Sequence, residues 1–136
     1  MELWDACDKN FNKLAGVTLY RGEEIPKGIY HLVSDVIGKH TDVSWLIMQH
    51  DYRKKYGGMW EATAGGSALQ NELPIECAVR ELREETGIAL CAKDLVELGR
   101  IVGNDIIYVE FMCITDWEKD SVRLQDGETS AYKWVA

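Results

Sequence analysis

Glu81, Glu84 and Glu85 lie within one five-residue stretch, with Arg80 directly before them. On a helix turning about 100° per residue, Glu85 lies about 40° from Glu81 and Glu84 about 60° to the other side. Arg80 lies about 100° away on that same side. The three carboxylates therefore share a face. Like charges this close repel, and partial burial adds a desolvation cost. A divalent cation removes both penalties. Oxygen-only donors select a hard metal, Mg²⁺ or Mn²⁺, over zinc. Mg²⁺ keeps several waters and is held by a few carboxylates plus substrate phosphates. The chemistry this suggests is phosphate chemistry: a cation bridges phosphate oxygens, stabilises developing charge and helps deprotonate a water.

Neighbouring residues extend the pattern. Arg80 stands four residues before Glu84, at ion-pairing distance on a helix, so it is expected to orient that carboxylate. Glu72 precedes the helix and could pair with Arg80 or reach a metal through water. Gly65 and Gly66 allow backbone to approach metal or phosphate closely. Tyr52 to Tyr56 form the only dense basic patch, and Arg53, Lys55 and Tyr56 are its candidate substrate contacts. His31 and Cys77 read as structural residues, and Trp134 as a core residue. A run such as Glu-Leu-Arg-Glu-Glu is ordinarily a solvated helix face. The glycine pair, Glu72 and the terminal Gly87 at set spacings argue otherwise here.

These residues need a scaffold. Pro74 suits a first helical turn and Gly87 the position past the last, which predicts a helix over 74–86. Ile75, Ala78, Val79, Leu82 and Thr86 form its apolar stripe, and Glu81 and Glu85 border that stripe. Strands are predicted at 14–20, 30–37, 43–49, 60–64, 95–102, 106–114 and 131–135, with 30–49 as a hairpin. The fold expected is a mixed α+β domain, with a central sheet and the helix laid on it.

The 136 residues suffice for one domain with a real core. A net charge of −8 argues against nucleic acid and against an anionic membrane as partners. An anionic substrate would then need a cation to bring it in. No apolar run approaches membrane-spanning length. Cys7, Cys77, Cys91 and Cys113 are scattered without a zinc-type pair, as in a reduced, cytoplasmic protein.

The spacing from Gly66 through Glu72 and Arg80-Glu81-Leu82 to Glu84-Glu85 and Gly87-Ile88 resembles the Nudix box, with every fixed position present. The preceding strand order and Gly58-Met59-Trp60 extend the likeness. It implies an α/β/α sandwich with a mixed sheet and the box helix on one face. It also implies metal-dependent hydrolysis of a diphosphate linkage in a nucleoside diphosphate derivative. By the same resemblance Glu81, Glu84 and Glu85 bind metal, and Gly65 or Gly66 lends a carbonyl. Glu128, in a late loop, assists the metal or serves as general base. The N-terminal half resembles the branch that includes isopentenyl-diphosphate isomerase. That enzyme's acid/base cysteine would fall at Gly65 and its histidine ligand at Ser67, and neither residue can do those jobs. A ligand-binding module that kept the fold and lost the chemistry is a further alternative. Relatives continue past the last strand into a second helix, which is missing after Ala136. A shortened chain, residues 1–13 or a second copy would account for that surface, and an uncovered apolar face favours a homodimer.

Overall fold

A computed structural model describes residues 1–136. Nine strands and one α-helix follow in the order β1 (Leu3–Cys7), β2 (Lys13–Tyr20), β3 (His31–His40), β4 (Trp45–His50), β5 (Trp60–Glu61), β6 (Thr63–Ser67), α1 (Pro74–Thr86), β7 (Leu95–Val102), β8 (Ile106–Thr115) and β9 (Thr129–Val135). β1 and β2 form a separate antiparallel hairpin. The other strands make one mixed sheet in the order β5-β4-β3-β8-β7, with β6 on β3 and β9 on β4. Only β3 and β8 run parallel, in register from His31↔Ile106 to His40↔Thr115.

The hairpin expected over 30–49 is present only at its turn. β3 and β4 pair at Lys39↔Trp45 and then separate. Beyond that point β3 takes β6 as its neighbour and β4 takes β9. The sheet is thereby forked, and the fork opens a gap lined by residues of β3, β4, β5, β6 and β9. Sequence periodicity is blind to this, because it reports which residues face a core and not which strand lies alongside.

Alternation sets the two faces of the sheet. Val36, Ile107, Val109, Phe111 and Cys113 are buried on the side that packs against Ala78 and Leu82 of α1. The helix spans the expected residues. Its buried residues are Cys77, Ala78, Leu82 and Thr86, while Ile75 and Val79 are only half-buried against the core. Cys77 joins this face because α1 lies close on β6, where its thiol donates to the Gly66 carbonyl at 3.4 Å. The Glu76 carboxylate accepts from the Leu73 N–H at 2.8 Å at the helix start, and the Gly87 N–H closes the last turn on the Arg83 carbonyl at 2.8 Å.

Two elements differ from the sequence reading. β1 was not among the predicted strands. It is five residues long; Trp4 and Ala6 pack with Leu19 in a small cluster of their own, while Cys7 joins the main core. The strand predicted to stop at Ala64 breaks at Ala62 instead and runs on through Gly65 and Gly66 to Ser67, because β3 pairs with it there. Residues 1–13 do not cover the sheet face opposite α1. They sit at the start of β3 and on the loop before α1, and Val96, Ile101 and Ile114 on the open face stay exposed.

Candidate active site

Arg80 organises the carboxylates. Its Nε and Nη2 donate to both oxygens of Glu72 at 2.8 and 2.9 Å. Nη1 donates to Glu81 at 2.8 Å and to Glu84 at 3.2 Å. The remaining Nη2 proton reaches the Ser67 carbonyl at 3.1 Å. All five guanidinium protons therefore have acceptors, and three glutamates are set by one planar group. Burial opposes ionisation of Glu72, but the Arg80 fork and the Leu69 N–H outweigh it and hold its carboxyl below the ordinary range.

Glu81 and Glu85 sit deeper. Burial holds the Glu81 carboxyl above the usual range despite Arg80. Glu85 is pushed up to about 8, by burial first and then by the charges of Glu81 and Glu128. Its carboxylate accepts from the Gly65 N–H at 3.0 Å. Gly66 lets α1 come near the sheet, and Gly65 lets β6 lie close on β3. A Cβ on Gly66 would stand 2.6 Å from a Glu81 oxygen, and one on Gly65 would stand 2.2 Å from the Ser34 carbonyl.

Other elements complete the cleft. Glu128, in the loop before β9, lines it together with Glu81, Glu84, Glu85, Gly65 and Gly66. The cleft holds about 510 Å³. A smaller pocket of about 90 Å³ in the fork adjoins it, and Asp35, His50, Lys54, Glu61 and Glu85 are among its walls. Of the basic loop, Lys54 reaches both spaces and pairs with Glu128. The candidates from that loop do not line either: Arg53 is held by Asp51 at 2.8 Å and faces Asp126 at 3.6 Å, and Lys55 lies over the ring of Tyr56. His31 stacks on Trp4 at 4.0 Å, and the Trp134 indole donates to the Lys119 carbonyl at 2.9 Å. Cys77 is buried, and that burial pushes its thiol up to about 12, which makes it unreactive.

Reading along the chain missed Asp35, His50, Glu61, Glu2 and Arg21 as cleft residues. Asp35 carries a signal, a lone acid in an apolar strand. Glu2 and Arg21 carry none, since their place depends on where the first hairpin docks.

The donor set can be tested against a divalent cation. It is all oxygen, it is acidic and part-buried, and burial followed by like charge raises the Glu85 carboxyl; each of these suits a hard metal. The carboxylates are held apart, with Glu81 and Glu84 on Arg80 and Glu85 on Gly65, and no three acidic, histidine or cysteine side chains converge on one point. Arg80 takes one oxygen each of Glu81 and Glu84, which leaves the second oxygen of each for a cation.

Fold and site together define an α+β domain with an acidic, oxygen-lined cleft where a helix meets a glycine-bearing strand of a forked sheet. The NUDIX domain model matches residues 30–136, and the chain belongs to that family. It is similar to an uncharacterised Nudix hydrolase of Listeria monocytogenes, 37% identical over 92 residues that make up 66% of this chain and 53% of that protein. An 8-oxo-dGTP diphosphatase of Proteus vulgaris is 33% identical over 95 residues, 66% of this chain and 80% of that one. The match thus spans about half the length of the Listeria relative. Among solved structures, DR0079 from Deinococcus radiodurans superposes with a TM-score of 0.78 at 14% identity, covering 98% of this chain and 83% of that one. That likeness bears on the fold. No helix is long and apolar enough to cross a membrane.

Proposed function

We propose that this protein is a metal-dependent hydrolase that cleaves a diphosphate linkage in a nucleoside diphosphate derivative or related small molecule by water attack on phosphorus. The observation that carries the reading is the single Arg80 guanidinium holding Glu72, Glu81 and Glu84 beside the half-buried Glu85. Membership of the family supports it, as does the similarity to the 8-oxo-dGTP diphosphatase of Proteus vulgaris.

Glu81, Glu84 and Glu85, with the backbone of Gly65, are the residues that would hold Mg²⁺ or Mn²⁺. Such a cation supplies positive charge to the diphosphate and acidifies a water. The chain's own groups do the rest. Arg80 keeps Glu72 ionised and limits the directions open to Glu81 and Glu84. Glu84 is the most exposed of the three box glutamates and is the candidate to take the proton from the attacking water. Glu128 stands across the cleft as a second acceptor, with Lys54 neutralising it in the resting state. The narrow approach at Gly66 leaves room for oxygen atoms, not a side chain, beside Glu81.

The test is a screen of nucleoside diphosphate sugars, dinucleoside polyphosphates, nucleoside triphosphates and isoprenoid diphosphates with Mg²⁺ and Mn²⁺. Phosphate or pyrophosphate release that depends on the cation is expected. Glu84→Gln should lower turnover on the order of 10²–10⁴-fold with the fold intact. Double-bond migration without release would instead favour the isomerase. Absence of both activity and metal binding would favour a ligand-binding module.

A further inference from the structure

Residues 1–29 precede the region that matches the family, yet they build one wall of the cleft. The β1–β2 hairpin is fixed at several points. Cys7 and Tyr30 exchange backbone hydrogen bonds at 2.9 Å. The Gln70 N–H donates to the Leu3 carbonyl at 2.9 Å, and the Asn71 N–H to the Asp5 carboxylate at 2.8 Å. Trp4 lies flat on His31, with rings 6° from parallel. This docking carries Glu2 and Arg21 to the mouth of the cleft that holds Glu81, Glu84 and Glu85.

Three cations line that cleft: Arg80, Lys54 and Arg21. Arg80 has every proton committed to glutamates and a carbonyl. Lys54 is paired with Glu128. Arg21 has one partner, a Glu2 oxygen at 3.1 Å, and that oxygen also accepts from the Trp4 indole at 2.7 Å. The Arg21 side chain is 67% exposed. Most of its donor fork therefore faces the cleft mouth and solvent, where a planar guanidinium can take a phosphoryl or carboxylate group with two parallel hydrogen bonds. An acidic cleft in a chain of net charge −8 has particular need of a cation with donors to spare.

We propose that Arg21 is a substrate-binding residue that grips the anionic end of the diphosphate substrate opposite the carboxylate helix, and that Glu2 is a positioning residue that aims it. The substrate class follows: a molecule whose phosphate chain, or another anionic group, extends from the box glutamates toward the first hairpin. This rests on the hydrolase reading, so its test includes binding as well as turnover.

The experiment compares wild type with Arg21→Ala, Arg21→Lys and Glu2→Gln. Kinetics use whichever diphosphate substrate the screen selects. Calorimetry with methylenebisphosphonate and Mg²⁺ measures binding without hydrolysis. Loss of one charge-assisted contact is worth roughly 10-fold or more in affinity. Arg21→Ala is expected to raise KM and the methylenebisphosphonate Kd by about that factor, with kcat within about 2-fold and melting temperature unchanged. Arg21→Lys should recover part of the loss, and Glu2→Gln should show a smaller KM effect. Unchanged KM and Kd in Arg21→Ala, or a fall in kcat alone, would overturn the proposal. So would a wild type that does not bind methylenebisphosphonate. If the wild type binds it but hydrolyses nothing, the hydrolase reading fails, and a weakened Kd in Arg21→Ala would still sustain the role of Arg21.

Discussion

Arg80 is the residue on which the candidate site depends most. It satisfies Glu72 with a two-point fork and reaches Glu81, Glu84 and the Ser67 carbonyl with its remaining protons. A lysine has three donors around a point charge and cannot reproduce that fan. Arg80→Lys should leave the chain folded, since the helix packs through Ala78 and Leu82, yet lower kcat by about 10²-fold by freeing the glutamates from their set positions. Near-normal kcat in that variant would mean the guanidinium is only a surface ion pair. The two glycines separate in the same way. A Cβ on Gly66 meets the movable end of the Glu81 side chain, so Gly66→Ala should cost activity with little change in melting temperature. A Cβ on Gly65 meets backbone at Ser34, so Gly65→Ala should destabilise by about 1–3 kcal/mol, read by urea unfolding.

At the level of elements, the helix was the most legible part of the sequence. Pro74 and Gly87 bracket it, its apolar stripe has the helical period, and the structure places it over 74–86. The fork was not legible. β3 reads as an apolar strand, but which neighbour it takes along each half of its length depends on residues 60–67 and 106–115, far away in the chain. That pairing is also what buries Asp35 beside Glu110. Burial first, then the Glu110 charge, pushes the Asp35 carboxyl up to about 7 from an ordinary 3.8. The folded state then holds a proton between those two values that the unfolded chain has lost. The contribution of Asp35 to stability is therefore fully present below the lower value and is lost as pH rises through the upper one. Urea unfolding in EDTA at pH 5 and pH 8 should show lower stability at pH 8, and Asp35→Asn should reduce that difference. An equal pH dependence in the variant would show that Asp35 is not the group responsible.

On the scale of the whole molecule, the first hairpin carries a small core of its own beside the main one, which its Cys7 joins. Trp4, Ala6 and Leu19 form the smaller one, and the Trp4–His31 stack links it to the start of β3. Trp4 is buried, so Trp4→Ala should cost about 3–5 kcal/mol in urea unfolding. If hairpin and sheet unfold separately, the loss will appear in an early transition and the main one will be unmoved. The position of Arg21 in the cleft was illegible in sequence for the same reason: it follows from docking between parts with no shared periodicity. Glu128 was legible only through family likeness, and the structure brings it to the cleft with Lys54.

Hydrolysis in ¹⁸O-labelled water, with and without Mg²⁺ and with wild type beside Glu84→Gln, tests most directly the claim that the box glutamates direct water to phosphorus. The expected result is one labelled oxygen on a phosphate of the product, formed only with the cation and reduced on the order of 10²–10⁴-fold in Glu84→Gln. Cation-independent turnover, undiminished turnover in Glu84→Gln, or product carrying no label on phosphorus would contradict it.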